Sequence, residues 1–128
     1  MRVWTLEEAT AELPRVRRAV QRIRELVAKA RERAAHPGGT NGVKPSSNGH
    51  GSKSRSDLEQ ELHTLVEQLT SDGIVVRDPA RGLIDFPAVT PTGRQYLLCW
   101  LDGEDAIEWW HWPEAGVAGR TSIGEPPE

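Results

Sequence analysis

Two apolar seams of helical period, separated by a stretch with almost nothing to bury, constrain this chain more than any other feature. Val16, Ala19/Val20, Ile23, Leu26/Val27, Ala30 and Ala34 recur at alternating three- and four-residue steps. That is the stripe of a helix with one buried face. Leu58, Leu62, Leu65 and Leu69 repeat the rhythm. Between the seams, residues 36–54 are mostly Gly, Ser, Pro and Asn, with Val43 as the one apolar residue. Such a stretch cannot offset its ordering entropy by burial, and is expected to be a flexible insertion. A linker of that length readily spans two antiparallel helices, so the plan is a helical hairpin.

The ends of the helices carry local signals. Thr5-Leu6-Glu7-Glu8 has the spacing of a capping box, in which Thr5 and Glu8 satisfy each other's backbone N–H. A short helix is expected from Leu6 to about Glu12, then a break or kink, because Pro14 disfavours helical geometry at Leu13. Pro14 would then open the long first helix, which should end near Ala35. The second helix is expected over Ser56–Asp72, with Ser56 as N-cap and Gly73 just past its end.

Beyond Gly73 the period changes to that of strands. Ile74-Val75-Val76, Leu83–Phe86, Arg94–Trp100 and Ala106–Trp112 read as strands. Asp78–Gly82 and Asp102–Asp105 are the turns between them, and Pro87 is expected to end the second strand. The fold class is therefore α+β, an antiparallel helical hairpin packed on a small antiparallel meander of three or four strands. A chain of 128 residues fits one domain. Its helical part is 5–72, its β part 73–112, and its tail 113–128 is expected to be irregular.

Charge narrows the partners. The net charge of −3 gives no global field for nucleic acid or an acidic membrane. Eight basic residues lie between Pro14 and Ala35, against Glu25 and Glu32. Nucleic-acid binding through helix 14–35 is one reading. Asp57, Glu59, Glu61, Glu67 and Asp72 on the second helix give another, charge complementarity flanking an apolar seam, and the absence of stacking aromatics favours it. The single cysteine excludes an intrachain disulfide and fits a reducing compartment. No run of 18 apolar residues exists and the N-terminal stretch is acidic, so the expected setting is cytoplasmic, with no membrane partner.

Four of the five tryptophans fall between Trp100 and Trp112, in the segment LLCWLDGEDAIEWWHW. Alternation along the fourth strand puts Ile107, Trp109 and His111 on one face, and Glu108, Trp110 and Trp112 on the other. Neither face is then freely solvated. One should pack on the helices, and the other needs a partner, a ligand or the tail. Asp85 points away from Ile84 and Phe86 by the same rule. His111 is a possible metal ligand or general base, or a packed histidine bonded to Asp85 or Glu104. Cys99 reads as a small buried hydrophobe. Gly116–Arg120 could form an anion nest, although an Arg120 pair with Asp85 or Glu108 is preferred. There is no metal-ligand spacing, phosphate loop or nucleophile elbow in the sequence.

The phrases GIVVRDPARGLIDFPA, LLCWLDGEDAIEWWH and GVAGR, with the opening WTLEEATAELP, resemble an uncharacterised bacterial family, domain of unknown function family 2203. The resemblance spans nearly the whole chain apart from the Gly/Ser insertion. It implies that Asp85, Cys99, Trp100, Gly103, Glu104, Trp110, His111, Gly119 and Arg120 belong to the family's pattern. It brings no activity. The family's closing Gly-Arg is followed by Pro, whereas Arg120 is followed by Thr121 here.

The leading reading is a non-enzymatic structural or interaction protein acting as a homodimer through Trp110 or Trp112, its other protein partners unspecified. The alternative is a small-ligand or metal-binding protein, with hydrolysis as a candidate reaction, using Asp85, Glu104, His111 and Arg120. Arg94 and Glu108 complete the candidate site residues. No catalytic residue and no cofactor is assigned, and the metal is left open.

Overall fold

The structure is a computed structural model that describes residues 2–35 and 54–127. Two helices, α1 (Leu6–Ala35) and α2 (Arg55–Ser71), precede five strands. These are β1 (Val75–Asp78), β2 (Leu83–Val89), β3 (Gln95–Leu101), β4 (Trp109–His111) and β5 (Thr121–Ser122). The strands form one antiparallel meander in the order β1-β2-β3-β4-β5. The α+β plan of a helical pair on a meander therefore stands, with one strand more than expected. The insertion expected at residues 36–54 lies outside the described residues, apart from Ser54.

The capping box forms as its spacing requires. Thr5 N–H donates to Glu8 Oε1 and Glu8 N–H to Thr5 Oγ1, each at 3.0 Å. The break expected at Pro14 does not occur, and α1 runs through it as one helix of 30 residues. Burial decides this. Ala9, Leu13, Val16, Val20 and Ile23 all enter the core, so one continuous helix keeps them on one face. Pro14 and Thr10 are exposed, so the Thr10 carbonyl that loses its helical donor faces water. The second helix begins one residue early. Its cap is Ser54, whose side chain accepts from the Asp57 N–H, and not Ser56.

Helix α2 ends in a paired hydrogen-bond stop. Gly73 N–H donates to the Thr70 carbonyl and Ile74 N–H to that of Leu69, both at 3.0 Å. Gly73 takes φ 87°, the left-handed geometry such a stop needs. The stop turns the chain from helix to strand and puts Ile74 and Leu69 into the same core.

The helices pack antiparallel, since Arg15 pairs with Asp72 at 3.1 Å and Arg22 with Glu61 at 2.8 Å. Other α1 arginines reach the sheet loops. Arg24 pairs with Asp102 at 2.8 Å, and Arg17 donates to the Asp105 carbonyl at 3.0 Å. Within the seams Val16, Val20, Ile23, Leu26, Leu58 and Leu69 are buried, while Leu62 and Leu65 are half-buried against the core. Among the described residues no helix is long and apolar enough to cross a membrane.

One sheet face meets the helices. Ile84, Phe86, Ala88, Leu98, Trp100 and Trp110 join Val16, Val20 and Ile23 in a single core. Trp4 packs edge-on against Phe86, with ring centroids 5.2 Å apart, and its backbone N–H donates to the Pro87 carbonyl at 2.6 Å. Pro87 does not end β2, which continues to Val89. A strand residue's N and carbonyl point to the same side, and the Pro87 carbonyl faces Trp4. The missing N–H therefore falls where no ladder donor is required. The fourth strand is shorter than expected, and the tail supplies β5, pairing Trp110 with Thr121.

Two stability measurements check this account. Leu69→Ala should cost ~2–5 kcal/mol in denaturant unfolding, the usual loss for a fully buried leucine. A change under about 1 kcal/mol would mean that the α2 stop is not part of the core. Pro14→Ala should raise stability, by up to about 3 kcal/mol, by restoring the bond to the Thr10 carbonyl. A loss instead would mean that the Pro14 ring itself contributes packing.

Candidate functional site

The face of the sheet turned away from the helices is where polar residues are buried. Strand register sets Val75, Asp85, Cys99 and Trp109 side by side in one row across four strands. His111 lies one diagonal step away, opposite Leu97. Asp85 is 0% exposed and His111 3%. A carboxylate can be buried so completely only when its oxygens are satisfied.

Three groups meet at Asp85. His111 Nε2 lies 3.1 and 3.2 Å from its two oxygens. Arg77 Nε donates to Oδ2 at 2.6 Å. The Cys99 thiol lies beside the carboxylate, within 4.8 Å. Arg77 stands two residues after Val75, the partner of Asp85, and so shares its face of the sheet, at an irregularity in the β1–β2 register. The pairing Val76 with Ile84 is followed by Asp78 with Leu83, so Arg77 is an extra residue in β1.

The imidazole contacts fix where a cation must be. His111 Nδ1 donates to the Trp112 carbonyl at 2.9 Å, an atom that can only accept. The remaining nitrogen, Nε2, faces two carboxylate oxygens. A neutral ring beside an ionised carboxylate would set lone pair against lone pair. With Asp85 ionised, that contact therefore calls for a proton or a metal cation between Nε2 and the carboxylate. Burial, and behind it the negative charge of Asp85, pushes the Cys99 thiol up to about 12, against an opposing pull from Arg120. Asp85, Cys99 and His111 each offer one ligand atom, and all three atoms lie within 4.8 Å of one another. A cavity of about 210 Å³ opens above Asp85 and His111, also lined by Arg77, Leu83, Pro113 and Gly116.

The other expected site residues lie around this centre and not in it. Glu104 and Arg120 pair with each other at 2.6 Å. Glu104 also accepts from the Leu101 N–H at 2.9 Å, which locks the turn before β4. Arg120 stacks over Trp109 at 5.0 Å. It thus pairs with neither Asp85 nor Glu108, and its guanidinium is held by Glu104 instead of clamping an anion in a Gly-rich nest. The Glu108 carboxylate is exposed, while its carbonyl accepts from Ile123. Arg94 stacks on Trp112 at 3.6 Å, outside the cavity lining. Trp110, expected at a surface shared by two copies, is 6% exposed and sits in the core, with its Nε1–H donating to the Glu125 carbonyl at 2.9 Å. Trp112 is half-buried against Trp110 and Tyr96.

Sequence reasoning missed Arg77 and gave Cys99 no part in the site. Cys99 was within reach, since strands 83–86 and 94–100 joined as a hairpin put it beside Asp85. Arg77 was missed because the first strand was read as ending at Val76, whereas β1 runs to Asp78 and alternation carries Arg77 to the Asp85 face.

Fold and centre together define the class: an α+β protein with a helical pair on one face of a five-stranded meander and a buried Asp–His–Cys cluster on the other. The chain belongs to the family described as an uncharacterized conserved protein, domain of unknown function 2203, whose model matches residues 2–123. No curated protein and no solved structure matches it.

The thiol sets a pH dependence for the metal-free protein. Its folded value stands above the ordinary ~8.5 of a free thiol. Folding therefore favours the protonated form, and that contribution is complete below about pH 8.5 and fades as pH rises toward 12. Denaturant midpoints should fall between pH 8 and pH 10.5 more steeply in wild type than in Cys99→Ala. Equal slopes would show that the thiol ionises freely in the folded chain.

Proposed function

We propose that this protein binds a divalent transition-metal ion, with zinc as the best fit, through Asp85, Cys99 and His111. One observation carries the reading: a carboxylate, a thiol and an imidazole, all buried, converge within 4.8 Å. Around a tetrahedral ion with bonds of ~2.0–2.3 Å, neighbouring ligand atoms stand roughly 3.3–3.8 Å apart, so only small shifts are needed. The Nδ1–H bond to the Trp112 carbonyl supports the same reading. It is the outer-shell contact that holds an imidazole with Nε2 free for a metal. A bound ion would supply the positive charge that the contact of Nε2 with the Asp85 carboxylate calls for. Carboxylate and thiolate together balance its two charges.

Three protein ligands would leave a fourth position for water or substrate, and Asp85 and His111 also line a cavity. A metal with an open position activates bound water, so hydrolysis is the reaction class that this geometry favours. Glu104 and Arg120 stand outside the ligand set as a wall beside Trp109. The homodimeric interaction protein that the sequence favoured has less support. Its premise was a free aromatic face, and Trp110 spends its ring in the core.

The test is metal titration of the full-length protein with cobalt as a spectroscopic stand-in. One equivalent per chain is expected, with the charge-transfer absorption of a cobalt–thiolate bond. Cys99→Ser should remove that band, and Asp85→Asn should weaken binding by 10-fold or more. Substoichiometric uptake with no thiolate band would end the metal reading.

A further inference from the structure

Arg77 does more than neutralise Asp85. Its Nε is committed to the Asp85 carboxylate at 2.6 Å. Its terminal nitrogens, Nη1 and Nη2, have no hydrogen-bond partner among the described residues, and the side chain, 45% exposed, lines the cavity. A guanidinium anchored at one edge and open at the other is a preorganised fork for two oxygens of one anion. Arg77 belongs to strand β1, so the fork is carried over the cavity by the sheet and not by a loop.

We infer that the cavity above Asp85 and His111 takes a small oxyanion, a carboxylate or a phosphate, gripped by the free edge of Arg77. Size sets the upper limit. About 210 Å³ is the space of roughly seven waters at ~30 Å³ each, enough for inorganic phosphate or a carboxylic acid of a few carbons. A nucleotide or a drug-sized ligand needs ~300–1,000 Å³. Leu83, Pro113 and Gly116 provide the rest of the lining, so the cavity's charged groups, Arg77, Asp85 and His111, stand together. The inference deepens the proposed function and rests on it for one part only: a metal ion beneath Arg77 would add a second positive centre. With that ion bound, the charges of metal, Arg77, Asp85 and the Cys99 thiolate sum to one positive, which matches a monoanion. The grip of Arg77 itself needs no metal.

Isothermal titration with acetate and with inorganic phosphate tests this on the full-length protein, both metal-stripped and zinc-loaded. Saturable one-to-one binding is expected in at least one form, for at least one anion. Arg77→Gln should weaken it at least 10-fold while zinc stoichiometry stays at the wild-type value. Arg77→Lys keeps a cation for Asp85 but lacks the fork. It should also bind more weakly, which covers the case in which Arg77→Gln fails to fold. Arg94→Gln, a change outside the cavity, should leave binding intact. Absence of binding in both forms overturns the inference, as does binding that survives Arg77→Gln and Arg77→Lys. Loss of binding equally in Arg94→Gln overturns it too, by showing a diffuse charge effect. Anion binding by the stripped protein with no uptake of zinc upholds the role of Arg77 and removes the metal reading alone. Preference between acetate and phosphate identifies which oxyanion the cavity fits.

Discussion

The buried carboxylate of Asp85 is the constraint to which the second half of the chain is arranged. A charge with no exposed surface requires partners, and they come from three other strands: Arg77 from the bulge in β1, Cys99 from β3 and His111 from β4. Removing one partner from such a set leaves an uncompensated buried charge, at a typical cost of ~3–5 kcal/mol. Register follows from this. A one-residue slip of β2 against β3 would send Asp85 into the face occupied by Phe86 and Ile84, among the apolar side chains of α1.

The two faces of the meander thus divide the work. The helix-side face is apolar and holds the fold together through Phe86, Trp100 and the α1 seam. The opposite face carries the polar centre, roofed in part by Pro113 and Gly116 of the tail. That tail answers the question left by the alternation of Trp109 and Trp110. Arg120 lies over Trp109, and the backbone of Glu125 caps the Trp110 indole. The aromatic density that suggests a docking surface is largely consumed within the chain.

Periodicity and capping chemistry made the helices legible, because Thr5–Glu8, the leucine repeat and Gly73 act locally. Pro14 misled for the same reason. Its local preference is real, but it sits on the solvent side of a helix whose other side buries five residues of the core. Pro87 misled because its cost depends on whether a neighbouring strand needs its N–H, and that is a tertiary fact. The alternation rule correctly separated Asp85 from Ile84 and Phe86, and Asp85 stood with Glu104 as one of two carboxylates offered as partners of His111. Arg77 obeys the same rule, two residues on from Val75, and was missed because the strand was read as ending at Val76. The bulge at Arg77 exists in the mismatch between two strands and in neither strand alone.

That bulge has an effect at the border of the sheet. Strand β1 is an outer strand, and outer strands offer unpaired backbone groups to any passing chain. Here the border is four residues long, interrupted at Arg77, and carries a cation. A second molecule could not continue the ladder past it without breaking register and burying a guanidinium. The feature that completes the polar centre therefore also guards against edge-to-edge association. Replacing Arg77 by an uncharged residue would take from Asp85 a partner and from this border its cation in one step.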